Sequence, residues 1–107
     1  MVLYSVHIMV RHEVYEQYLE WLKTEHIAEV LACPGFLSAD LCFRKGGSME
    51  ASSKEIRINY QVESEDALKK YIQEYAMPLR EKGIDKFPGQ FSAQREVYLD
   101  SVSFKSK

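Results

Sequence analysis

Residues 2–10, VLYSVHIMV, alternate along their length. Val2, Tyr4, Val6, Ile8 and Val10 point one way and Leu3, Ser5, His7 and Met9 the other, which predicts a strand with one wholly apolar face. The spacing then changes to three and four. Over residues 12–32, Tyr15, Leu19, Leu22, His26, Val30 and Cys33 share one stripe of a helix turning about 100° per residue, with Glu16, Glu20 and Lys23 outside it. Arg11 and His12 cap its start poorly, whereas Pro34 and Gly35 stop it firmly. Alternation returns in FLSADLCFRK, where Leu37, Ala39, Leu41 and Phe43 oppose Phe36, Ser38, Asp40, Cys42 and Arg44.

The run from Gly46 to Ser53 is small and polar, the composition of a flexible hairpin connection and of the segment most prone to disorder. A third strand, EIRINYQVE, turns Ile56, Ile58, Tyr60 and Val62 to its apolar side. Ser64 is placed to cap a second helix carrying Leu68, Tyr71, Ile72 and Tyr75 on one face. Pro78 interrupts backbone hydrogen bonding, so Met77–Lys86 is expected as a short separate helix. Pro88 and Gly89 turn the chain into a last strand, expected from Phe91 to Phe104, with a polar tail at Lys105–Lys107. The order strand, helix, strand, strand, helix, strand is the ferredoxin-like βαββαβ arrangement of the α+β class, a four-stranded antiparallel sheet with both helices on one face.

Composition narrows the choices. At 107 residues the chain is expected to be a single domain, residues 1–107, with one core. A net charge of −2 with acids and bases interspersed offers neither a basic stripe for nucleic acid nor a polybasic segment for a membrane. The exposed side of the third strand bears Arg57, Asn59 and Gln61 where an RNA-recognition module needs aromatic rings. No apolar run approaches the roughly 20 residues that span a bilayer, and MVLYSVHIMVRHE lacks the basic leader and small-residue cleavage site of a signal peptide. The expected location is the cytoplasm, where Cys33 and Cys42, too far apart for a metal or redox pair, stay reduced.

The sheet face away from the helices carries Leu3, Ser5, His7, Met9, Phe36, Ser38, Asp40, Cys42, Arg57, Asn59, Gln61, Glu96 and Tyr98. Its share of Leu, Met, Phe and Tyr points to a twofold partner, a homodimer. His7, Asp40, Arg57 and Asn59 there form either a polar network within such an interface or a carboxylate site built on Arg57.

Three segments look familiar together: LYSVHIMV, EWLKTEHIAEVLACPGF and PGQFSAQREVYL. They resemble a family of small bacterial ferredoxin-like proteins in which a Trp is followed by a His-Ile pair and a short turn ending in Phe. Trp21, His26, Ile27 and Phe36 match those features, and the family brings no catalytic assignment. More broadly the pattern is similar to the dimeric α+β barrel superfamily, which implies two sheets paired face to face and a cleft between sheet and helices in each subunit. Cofactor-independent monooxygenases, haem-degrading enzymes and small isomerases belong to that superfamily. Several of its enzymes place a polar residue on the first strand facing the cleft, whereas this chain has Val6 and Ile8.

In this topology the start of the first strand, the end of the first helix, the end of the third strand and the start of the second helix meet at one end of the sheet. Tyr4, His26, Tyr60 and Tyr71 are therefore expected together, with Trp21 as a wall of the cleft or a subunit contact. An imidazole among phenols can bind a small aromatic or carbonyl-bearing molecule, with His26 as general base and Tyr4 or Tyr60 as donor to a developing oxyanion. The same four residues can instead hydrogen-bond one another and seal the core. A metal is not expected, because Glu25, His26 and Glu29 lie on one helix with no matching pair elsewhere. No haem ligand set, flavin motif or nucleotide loop is present in the sequence, so no cofactor is expected. Two functions follow: a small-molecule cleft with cofactor-independent oxygenase or isomerase chemistry, or a non-catalytic module for protein interaction or assembly.

Overall fold

A computed structural model describes residues 1–45 and 52–107. Most of the expected Gly46–Ser53 connection lies outside the described residues, and Ser53 itself opens a strand. The chain forms β1 (Val2–Arg11), a 3₁₀ turn (His12–Val14), α1 (Tyr15–Trp21), a π-helical turn (Leu22–His26), α2 (Ile27–Leu31), β2 (Phe36–Phe43), β3 (Ser53–Val62), α3 (Glu65–Glu74), α4 (Ala76–Lys86) and β4 (Phe91–Tyr98). The sheet is antiparallel throughout in the order β2-β3-β1-β4, the ferredoxin-like α+β arrangement.

Register fixes which side chains share a face. Tyr4 pairs with Tyr60, Val6 with Ile58 and Ile8 with Ile56, so one row of β1 and β3 is apolar throughout. The helices cover that row. Val10, Leu22, Val30, Ile56, Ile58 and Val62 are no more than 1% exposed, each stabilising the fold by roughly 1.5–3 kcal/mol.

Local chemistry accounts for the element ends. Ser64 caps α3 by accepting from the Ala67 amide at 3.1 Å. Pro78 sits in the first turn of α4, where its missing N–H costs no helical hydrogen bond, and the break at Tyr75 separates α4 from α3. Gly35 turns the chain out of α2 with φ +87°, and a Cβ there would lie 2.4 Å from the Ala67 Cβ. Only glycine combines that backbone with so close an approach.

Four expectations are corrected. In the first helix the buried residues are Tyr18, Trp21, Leu22 and Val30, while Tyr15 and Leu19 are only half-buried. The reason is the π turn, whose extra residue shifts the helical phase between Trp21 and Ile27. Phe36 faces the helices and Leu37 is 53% exposed, because a bulge between Phe36 and Ser38 offsets the alternation of β2. Ile72 is exposed on α3. β4 ends at Tyr98 instead of Phe104, since pairing with β1 stops at Leu3↔Tyr98, near the beginning of β1.

Candidate functional site

The helix-facing row of β1 and β3 forms the floor of a cavity of about 280 Å³. Tyr4, Val6 and Ile8 of β1 and Ile58 and Tyr60 of β3 line that floor. Tyr18, Trp21 and His26 enter from the first helix, Tyr71 from α3, Arg80 and Gly83 from α4, and Phe91 and Arg95 from β4. All five residues singled out from the sequence, Tyr4, Trp21, His26, Tyr60 and Tyr71, therefore line one space. Tyr75 and Leu79 do not line it.

The π turn brings His26 to this wall. The Ile27 amide donates to the Leu22 carbonyl, a five-residue step that widens the helix by one residue. Residues five apart then lie one above the other, and the rings of Trp21 and His26 stack with centroids 4.6 Å apart. In a regular α-helix they would be about 140° apart around the axis. Gly83 of α4 leaves room for the indole; a Cβ at that position would lie 2.9 Å from it. Tyr18 completes this half, 5.6 Å from Trp21 and 4.9 Å from Phe91 between ring centroids.

The second half of the lining is phenolic. Tyr4 lies 6.0 Å from both Tyr60 and Tyr71, and Phe36 packs 4.7 Å from Tyr71. Arg80 Nη2 donates to the Tyr4 hydroxyl at 3.1 Å. The sealed-core alternative, in which the phenols hydrogen-bond the imidazole, does not hold at Nδ1: that atom of His26 is buried and has no partner among the described residues. Among the described residues the one other such side-chain atom is Nε of Arg80, a residue of the same lining. Buried polar atoms without partners are rare, and both of these belong to residues that line the cavity.

Protonation follows from burial. Desolvation lowers the His26 pKa to about 4; Glu29 opposes this, and Arg95 and Lys82 add to it, so the imidazole is neutral near pH 7. Lys82 is itself tied to Glu29 at 2.5 Å. Burial raises the Tyr71 hydroxyl to about 12 and drives Tyr60 and Tyr18 further up, which keeps all three as O–H donors. A neutral imidazole facing protonated phenols suits removal of a proton from a bound molecule and stabilisation of the oxyanion that results. Among the described residues, no group of three or more His, Cys, Asp or Glu side chains is arranged to hold a metal ion.

Sequence reasoning missed Tyr18, Arg80 and Arg95, although each left a signal. Ala76, Arg80, Gly83 and Phe87 follow at spacings of four, three and four, which puts a guanidinium on the buried side of α4. Arg95 stands in the row Phe91, Ala93, Arg95 of β4, opposite Val6. A charge in an apolar row is the informative exception. Tyr18 was hidden by the phase shift of the π turn.

The other sheet face carries a separate polar network. Ser5 Oγ donates to Asn59 Oδ1 at 2.7 Å, and the Glu55 carboxylate, only 6% exposed, lies 2.8 Å from Arg44 Nη1 and 3.4 Å from His7 Nε2. Of the set His7, Asp40, Arg57 and Asn59, these bonds engage His7 and Asn59 in different clusters.

The model of DUF4286, a domain of unknown function, matches residues 1–102. The chain belongs to the DUF4286 family. No curated protein matches its sequence. Solved structures share the fold. A Deinococcus radiodurans protein provisionally described as an antibiotic biosynthesis monooxygenase superposes with a TM-score of 0.70 at 13% identity, over 100% of this chain and 99% of that one. SnoaB, a cofactor-independent oxygenase from Streptomyces nogalater solved as a mutant, gives 0.67 at 10% identity over 98% of both chains. A mutant of MhuD with two manganese protoporphyrin IX bound per active site gives 0.68 at 16% identity, over 99% of this chain and 100% of that one. At such identities the likeness is one of fold, and chemistry has to be argued from the site.

Proposed function

We propose that this DUF4286 protein is a cytoplasmic homodimer that binds a small carbonyl-bearing aromatic molecule in the cavity between helices and sheet. Its chemistry there needs no cofactor and begins with removal of a proton. The supporting observation is a neutral His26, its Nδ1 buried and unpartnered, in a cavity lining that also includes Tyr4, Tyr60 and Tyr71. His26 takes a proton from an acidic C–H beside the carbonyl, and the electron pair moves onto the carbonyl oxygen. Tyr4 or Tyr60 donates a hydrogen bond to that oxygen. Where a C=C bond is conjugated with it, the enolate takes the proton back at the far carbon, an isomerisation; otherwise its carbon bonds dioxygen to give a hydroperoxide that loses water and leaves a new carbonyl, an oxygenation. Trp21 and Tyr71 supply the walls that hold the ring. Folds shared with SnoaB and the Deinococcus protein favour the oxygenase branch as the one to test first. The free cysteines Cys33 and Cys42 suit a reducing compartment.

The test is exchange of the acidic C–H protons of β-tetralone in deuterium oxide at neutral pH, with oxygen uptake recorded in parallel. The wild-type protein is expected to accelerate exchange, and His26→Gln to reduce the rate by about 100-fold or more. Exchange no faster than in buffer, or equal in the variant, leaves the non-catalytic module as the function.

A further inference from the structure

The lining of the cavity is electrostatically one-sided. Arg80 from α4 and Arg95 from β4 both line it, and no Asp or Glu does. Neither guanidinium belongs to an ion pair among the described residues. Arg80 spends Nη2 on the Tyr4 hydroxyl, yet its Nε–H is buried without an acceptor. Arg95 reaches the same space electrostatically, acting on His26, Tyr18, Tyr60 and Tyr71 together. A guanidinium stays charged at any pH of interest, so a half-buried one cannot relieve its exposure to an apolar cavity by losing a proton. Arg80 is half-buried and Arg95 exposed, and a guanidinium binds an anion best through adjacent N–H groups of its planar fork.

We propose that Arg80 and Arg95 form an anion subsite of this cavity and that its ligand is an aromatic monoanion. A carboxylate or an ionised enol oxygen accepts from the Nη groups of Arg80 and from Arg95, and the ring lies against Trp21 and Phe87. The inference rests on the small-molecule cavity assigned above and adds the class of ligand. Size agrees with a small ligand: about 280 Å³ lies just below the ~300–1,000 Å³ range of drug-sized sites, enough for a fused bicyclic ring. The two positive charges also complement the base. An imidazole with so low a pKa is a weak proton acceptor, and guanidiniums beside the oxygen make the bound molecule a stronger acid.

Calorimetric titration of the intact protein with β-naphthoate and with its neutral amide, β-naphthamide, separates charge from shape. The acid is expected to bind about tenfold or more tightly than the amide, with a preference that shrinks as sodium chloride is raised. Arg95→Gln and Arg80→Gln should each reduce that preference severalfold, weakening the acid more than the amide. Arg80→Lys should restore part of it, and Lys69→Gln, an equal change in net charge on the outside of α3, should leave it untouched. Equal binding of acid and amide by the wild type overturns the anion subsite and leaves the cavity standing. A preference that survives both arginine variants, or falls equally in Lys69→Gln, overturns it too. If neither compound binds, the subsite and the cavity reading fall together. Circular dichroism of each variant identifies one that has lost its fold, and Arg95→Gln, at an exposed position of β4, then decides the outcome.

Discussion

His26 joins the sequence to the chemistry through its surroundings more than through its identity. A histidine four residues from Leu22 and four from Val30 is directed inward whatever its role. The structure adds that its Nδ1 is unpartnered and its pKa lies near 4. The sign of the linkage is fixed by that value. The unfolded chain binds a proton at this site below about pH 6.5 while the folded chain does not until about pH 4, so this residue erodes stability as pH falls through that window. The loss reaches at most on the order of 3 kcal/mol. Urea titrations at pH 7.5 and pH 4.5 should show a larger drop for the wild type than for His26→Gln. Parallel drops would mean that the imidazole is hydrated and ordinary. His26, Tyr4, Tyr60, Tyr71 and Trp21 could be picked out in the sequence because periodicity and topology direct them to one end of the sheet. Arg80 and Arg95 were passed over because a charged residue is assigned to solvent by default, and only three dimensions show which helical or strand face it occupies.

At the scale of the element, the π turn accounts for most of what patterning could not give. A 3.6-residue period applied across residues 12–32 selects Tyr15 and Leu19, whereas an extra residue in the turn substitutes Tyr18 and Trp21 and puts His26 on the indole. Deleting exposed Lys23 should convert Leu22–His26 to regular α-helix. Helical circular dichroism would be kept, and so would the environment of Trp21, the single tryptophan, because without the extra residue the imidazole stands four positions on, on the same face of a regular helix. A shifted tryptophan emission spectrum in a folded deletion variant would show that the extra residue is not what aligns the two rings. Gly35 is the second element-scale constraint. Gly35→Ala meets both a left-handed backbone and the Ala67 Cβ, so a loss of about 2–4 kcal/mol in chemical denaturation is expected. A loss below about 0.5 kcal/mol would mean that α3 moves aside easily. The Pro34–Gly35 stop, the Ser64 cap and the break before α4 were all legible, since each depends on one residue type with one local effect. The β2 bulge and the end of β4 were not, because both depend on pairing with a distant strand.

For the whole molecule, the strand order followed from the element order, and the open sheet face is where the account extends beyond one chain. Ser5 and Glu55 are 4% and 6% exposed on that face, Leu3, His7 and Met9 are half-buried, and Tyr98 is 47% exposed. Such a mixture of satisfied polar groups and apolar side chains suits a second copy. Sedimentation equilibrium is expected to give twice the chain mass, and Met9→Arg to shift it toward the single chain. A single-chain mass at high concentration removes the homodimer and leaves the cavity unaffected, since every residue that lines it comes from one chain.

The central claim is that a neutral imidazole at position 26 faces a cavity that admits a small aromatic carbonyl compound. Nitrogen NMR of the histidine side chains during titration with β-tetralone at pH 7 tests it most directly, with His7 and His12 as internal references. His26 is expected to show a neutral imidazole signature that persists to pH 5, and saturable shifts of its ring nitrogens while those of the other two histidines stay in place. A His26 that titrates near pH 6.5, or whose nitrogens do not respond to the ketone, contradicts it.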